Sequence, residues 1–144
     1  MSDNTIRLDL ALGYDHALGT LSDYFQALAK GRALASRCET CGRTWFPPHT
    51  QCPEDGGACE PVDLEGLGVV VAETRTRTRL PFTGKDADVT FALVAMTGAD
   101  NAVFGRLENF TGAKATGQSV KLMAPDDRLG HPAQGAVFHP VENA

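Results

Sequence analysis

Positive charge is in short supply: 13 lysines and arginines face 18 aspartates and glutamates, a formal net charge of −5. Non-specific binding to phosphates is driven by an excess of Lys and Arg, so this balance argues against a nucleic-acid module. Aromatic residues are scarce at 7%, which leaves no evident stacking set for single strands. No apolar run approaches the roughly 18 residues that a membrane-spanning helix needs. The start, Met1-Ser2-Asp3-Asn4, lacks the basic residues and apolar stretch of an export signal. These absences predict a soluble cytoplasmic protein. What is present is ordinary: 42% hydrophobic and 22% charged residues in a chain of 144, enough for a core without disulfide staples.

The chain divides by composition into three parts: 1–32, 33–62 and 63–144. In the first, Ile6, Leu8, Leu10 and Leu12 alternate with Arg7, Asp9 and Ala11, the period-two pattern of a half-buried strand. Thr20 and Asp23 then have the spacing of a capping pair. Leu21, Tyr24, Phe25, Leu28 and Ala29 fall on one stripe of a short helix that Gly31 ends. The middle part holds all four cysteines together with Pro47-Pro48, Pro53 and Gly56-Gly57, and it is too short and polar to order itself through a core. The last part reads as five strands: Gly68 to Arg79, Phe91 to Thr97, Ala102 to Glu108, Ser119 to Ala124 and Gly135 to Val141. A Pro/Gly/Asp-rich loop, Pro81 to Asp88, follows the first, and Phe110 to Ala115 makes a short helix or turn. Five short strands with one irregular connection suggest a closed barrel of the OB type, although periodicity alone equally allows a small sandwich. The fold class is therefore mainly β, with an N-terminal helix, a rubredoxin-like zinc ribbon and a C-terminal five-stranded OB barrel.

Four cysteines in a chain without an export signal point to metal rather than disulfides, because the cytosol keeps thiols reduced. Cys38-x2-Cys41-Gly42 is a complete zinc knuckle: two thiolates on one tight turn, with glycine where the backbone passes the metal. Cys52 begins a second, but its closing position holds Asp55, followed by Gly56, and Cys59 comes four residues later. Sulfur and imidazole dominate structural sites, so Cys38, Cys41, Cys52 and Cys59 are the favoured ligands, with Asp55 the alternative fourth. An empty, degenerate site is the third possibility. His49 reads as a surface or supporting residue. An iron centre of rubredoxin type needs two intact knuckles, which disfavours an electron carrier. The metal expected is one structural zinc per chain.

The order of helix, one-metal ribbon and barrel resembles the Zn-ribbon/OB-fold family of small acyl-CoA-associated proteins, long known only as a domain of unknown function. The matching segments are Tyr24-Phe25 through Leu28-Ala29-Lys30-Gly31-Arg32, then Arg37-Cys38-Glu39-Thr40-Cys41-Gly42, Pro47-Pro48 and Cys52-Pro53. They continue with Leu64-Glu65-Gly66-Leu67-Gly68-Val69-Val70, Gly117-Gln118-Ser119-Val120 and Phe138-His139-Pro140-Val141. Asp55 is the departure from the two-knuckle pattern. The resemblance implies a small subunit without chemistry of its own, partnered with thiolases, lipid-transfer-type thiolases, steroid side-chain aldolases or acyltransferases. It further implies that helix and ribbon pack on the large subunit and that the barrel lies near the CoA channel.

The residues themselves agree with a modest role. No Ser-His-Asp order, paired carboxylates or P-loop can be assembled, and zinc-bound cysteines are not nucleophiles. His16, His131 and His139 are scattered, and no catalytic residue is assigned. Arg75, Arg77 and Arg79 alternate with Thr74, Thr76 and Thr78, so one strand face carries three guanidinium groups within about 14 Å. Such a row could clamp CoA phosphates or be a solvated face carrying salt bridges. Tyr24, Phe25 and Leu28, with Trp45 and Phe46, adjoin a ribbon with little apolar interior and form the candidate partner interface. The expected function is that of an accessory subunit in a hetero-oligomeric, acyl-CoA-processing complex; the alternative is a nucleic-acid-binding ribbon/OB module.

Overall fold

The computed structural model describes residues 4–79, 85–125 and 135–141. Its elements are a helix α1 (Ser22–Ala29) and eight strands: β1 (Ala33–Cys38), β2 (Thr44–Trp45), β3 (Cys59–Leu64), β4 (Leu67–Arg79), β5 (Asp86–Met96), β6 (Ala102–Leu107), β7 (Ser119–Met123) and β8 (Val137–Pro140). β1 is the centre of a three-stranded antiparallel sheet in the order β2-β1-β3. The remaining five close into a barrel, β4-β5-β6-β8-β7, with β6 and β8 parallel and every other pair antiparallel. That is the OB arrangement: three meandering strands, then two more whose last returns to lie between the third and fourth. Alternation drives it, since Val70, Ala92, Val94, Met96, Val103, Val120 and Leu122 point inward while Val69, Leu93, Ala95 and Phe104 point out. His131 and the first half of the Pro81 to Asp88 loop lie outside the described residues, and its last three residues belong to β5.

Three expectations are corrected. Ile6, Leu8, Leu10 and Leu12 form no strand; they are between 78% and 93% exposed. A strand needs a partner edge: the closed barrel offers none, and among the described residues no pairing joins this segment to β2 or β3, the outer strands of the ribbon sheet. Thr20 does not cap the helix: it lies in a 3₁₀ turn, Gly19–Leu21, and the capping position falls to Leu21, which makes no side-chain cap bond. The third concerns the stripe. Tyr24, Leu28 and Phe46 have relative exposures of 8%, 0% and 0%, and they belong to one core with Val70, Val94, Leu122 and Phe138 of the barrel. Phe25 packs on that core and Trp45 is half-buried. The proposed interface residues Tyr24, Leu28 and Phe46 are therefore interior ones. The reason is that β3 turns directly into β4 through Glu65-Gly66, which brings the near end of the ribbon sheet onto the barrel.

The ribbon is also clamped from a second side. The barrel's β5–β6 turn docks on β2: the Thr44 N–H donates to Asp100 Oδ2 and the Asp100 N–H to the Thr44 carbonyl, both at 2.8 Å. Asn101 takes the Phe46 N–H at 3.0 Å and donates back to the Phe46 carbonyl at 2.8 Å. Ribbon and barrel thus share hydrogen bonds as well as apolar contacts.

Candidate metal centre

At the far end of the ribbon sheet two turns face each other, and they are built alike. In the first, the Gly42 N–H donates to the Cys38 carbonyl at 3.0 Å, with Gly42 at φ +74°. In the second, the Gly56 N–H donates to the Cys52 carbonyl at 2.9 Å, with Gly56 at φ +71°. Left-handed backbone favours glycine at both places, and each turn puts its third residue after the cysteine back over the same centre. Those residues are Cys41 and Asp55.

One donor atom each from Cys38, Cys41, Cys52 and Asp55 lies within 4.8 Å of the other three. Cys41 Sγ and Cys52 Sγ are 3.7 Å apart, well beyond a disulfide bond, and Cys38 Sγ is 3.5 Å from Asp55 Oδ1. The backbone is shaped to this cluster. A Cβ added at Gly57 would come within 2.6 Å of Thr40 Oγ1, 3.0 Å of Asp55 Oδ1 and 3.2 Å of Cys38 Sγ. The Gly57 N–H donates to Asp55 Oδ1 at 2.8 Å and holds the carboxyl below its usual range. The Cys41 N–H, 3.5 Å from Cys38 Sγ, likewise favours the Cys38 thiolate. Three thiols and an ionised carboxylate on paired turns fit a small divalent ion.

Cys59, favoured from sequence as the fourth ligand, does not join that set. It sits opposite Cys38 in the β1–β3 register, with Sγ 3.9 Å from the Gly57 carbonyl. Burial, followed by the neighbouring thiols of Cys38 and Cys52, pushes its own thiol up. Asp55 was legible by position alone, since Cys52-x2-Asp55-Gly56 repeats Cys38-x2-Cys41-Gly42. His49 stacks edge-on against Trp45 at 5.7 Å, and its N–H donates to Ser36 Oγ; it is not among the four.

The three arginines do line one face of β4, but each has an acceptor. Arg77 is opposite Asp88 at 3.4 Å and Arg79 opposite Asp86 at 3.4 Å. Arg75 donates to the Gly112 carbonyl at 2.7 Å, lies 3.9 Å from Glu73 and stands 5.6 Å over the Phe110 ring. An open cleft of about 500 Å³ runs beside them, lined by Arg75, Arg77, Asp88 and Phe110. The acids on β5 escaped sequence reasoning because residues 86–88 were assigned to a loop. Cross-strand pairing of β4 with β5 down to Arg79↔Asp86 brings them in. His139 lies near Glu108, at 3.8 Å, and Asn109.

A two-turn ribbon whose Cys38, Cys41, Cys52 and Asp55 could hold a metal ion, fused to a closed OB barrel, defines the class to which the fold and site belong. No family model and no curated protein matches the chain. Among solved structures, a chain of the Ltp2–ChsH2(DUF35) aldolase is similar over 92% of this chain and 98% of its own, with 23% identity and a TM-score of 0.62. A DUF35-family protein of unknown function from Sulfolobus solfataricus is similar over 85% of this chain and 87% of its own, with 18% identity and a TM-score of 0.56. The fold is that of the DUF35 structures. Among the described residues, no helix is long and apolar enough to cross a membrane.

Proposed function

We propose that the chain is a non-catalytic small subunit of an acyl-CoA-processing complex, of the thiolase-type acyltransferase or aldolase kind. It docks on a large subunit and helps to bind the CoA thioester, and its ribbon holds one structural zinc in a cytoplasmic complex. The observation that carries this reading is the likeness to a chain of an aldolase built with a DUF35 component, which extends over nearly the whole of both chains.

The surface supports assembly. Ile6, Leu8, Leu10, Leu12 and Tyr14 form an apolar row at 77% exposure or more, the kind of surface that marks an interface. With Tyr24, Leu28 and Phe46 inside the core, this row takes their place as the docking element for the large subunit. Arg77 and Arg79 would serve the CoA phosphates by exchanging their exposed Asp88 and Asp86 partners for phosphate, a change that costs little because surface ion pairs are weak, and Arg75 would join them by giving up the Gly112 carbonyl.

The test is co-expression with a thiolase- or aldolase-like large subunit. The two chains are expected to co-purify and to turn over acyl-CoA, and this chain alone to show none. Replacing Leu8 and Leu10 with Asp is expected to abolish co-purification without changing thermal stability. Full turnover by this chain alone, or a partner that needs no contact with it, overturns the reading.

A further inference from the structure

We propose that Asp55, not Cys59, is the fourth ligand of the metal, giving a centre of three thiolates and one carboxylate in which Cys59 stays a free thiol. The argument is metric. A tetrahedral zinc with Zn–S bonds of about 2.3 Å sets its sulfurs about 3.8 Å apart, and a carboxylate oxygen at about 2.0 Å lies about 3.5 Å from each sulfur. The observed separations are 3.7 Å for Cys41 Sγ to Cys52 Sγ and 3.5 Å for Cys38 Sγ to Asp55 Oδ1. These are two opposite edges of one tetrahedron, and between them they use all four vertices. The sulfur–sulfur edge has the sulfur spacing and the sulfur–oxygen edge the shorter one.

Backbone geometry points the same way. Asp55 occupies the place in the second turn that Cys41 holds in the first, under the same glycine and the same hydrogen bond. Cys59 instead belongs to β3, where pairing with β1 fixes it outside the two turns. The Gly57 N–H donates to the same Oδ1 and fixes the carboxylate's orientation, as supporting hydrogen bonds orient metal ligands generally. Net charge is unchanged by the exchange of a thiolate for a carboxylate. Softness is not: an oxygen donor is the weakest hold on a borderline-soft ion, so the Asp55 arm is the one that opens first.

This inference does not depend on what the chain assembles with, and its test reads only the metal. The full chain is purified without added metal, assayed for zinc, and exchanged with Co(II). One metal per chain is expected, with a sulfur-to-cobalt charge-transfer band. Cys59→Ser should leave metal content and band unchanged. Asp55→Cys should raise the band by about a third, as three thiolates become four, and slow zinc loss to a chelator. Asp55→Ala should release zinc to a chelator on the order of 10-fold or more readily, at least the loss that removing a mere supporting residue brings. A band that falls by about a quarter in Cys59→Ser, as four thiolates become three, overturns the proposal, as does a wild-type chain that binds no metal. Should Asp55→Ala fail to fold, the Cys59→Ser and Asp55→Cys measurements still decide.

Discussion

Asn101, in the turn between two barrel strands, satisfies both backbone groups of Phe46 in the ribbon. It accepts from the amide at 3.0 Å and donates to the carbonyl at 2.8 Å. Phe46 is fully buried, so no water stands ready to replace those bonds. Asn101→Ala is expected to cost about 2–3 kcal/mol, the penalty for leaving buried partners unmade. Asn101→Asp keeps the acceptor and loses the donor, and should fall between Ala and wild type. Chemical denaturation at neutral pH measures both; an Ala variant as stable as wild type would show that the clamp contributes nothing.

Phe46→Ala and Leu28→Ala test the assignment of these residues to the interior. Both side chains are at 0% exposure in the common core. Truncation should cost about 3–5 kcal/mol for the phenylalanine and about 2–5 for the leucine, because each leaves a cavity. Phe25→Ala, on a half-buried side chain, should cost less. Were Phe46→Ala to leave stability intact while weakening partner binding, the residue would belong to an interface after all.

Tyr24 gives the fold a limit at high pH. Burial pushes its phenol to about 12, above the ordinary value near 10. The neutral form is the one the folded chain accepts, so this contribution is whole below pH 10. It is lost as pH rises from 10 towards 12, where only the unfolded chain gives up its proton. The loss amounts to about 2–3 kcal/mol over that window. Tyr24→Phe should flatten this part of the stability–pH curve; an unchanged slope would place the titration elsewhere.

Asp86 and Asp88 decide what the arginine row is for. Their pairs with Arg79 and Arg77 are highly exposed, so Asp86→Asn with Asp88→Asn should change stability by less than about 1 kcal/mol. Freed from internal carboxylates, the row should hold CoA more tightly in the assembled complex, and added salt should weaken that gain. Isothermal titration of the complex with CoA reads both. Unchanged affinity in the Asn pair, together with unchanged affinity in Arg77→Ala, would remove these residues from the CoA site.

Much of this architecture is legible in the sequence because the barrel strands have one wet and one dry face. Val70, Val94 and Val120 stand in alternation with exposed neighbours and so declare themselves. The same rule misleads at Ile6 to Leu12, where the pattern is present but, among the described residues, no strand of barrel or ribbon pairs with it. Pattern describes a strand's faces; pairing depends on topology. The start of β5 is hidden for the opposite reason, since Asp86 and Asp88 look like loop and are held in register by the arginines across from them. At the metal centre, ranking donors by chemistry put Cys59 first, whereas spacing from Cys52 singles out Asp55. The burial of Phe46 could not be read locally, because Asn101 lies 55 residues away.

β1 runs from a hydrophobic end to the candidate metal site within six residues. Ala33 and Ala35 sit in the core shared with the barrel, while Cys38 enters the donor cluster. With the proposed metal bound, two unlike sources of order meet on a single strand, one apolar and one ionic, and chelation would remove only the second. Amide protons near Ala35 should then keep the protection of the whole fold, while those from Cys38 to Gly42 and from Cys52 to Gly57 exchange freely. The ribbon would shorten rather than dissolve, fraying from its tip back to where Phe46 pins it to the barrel.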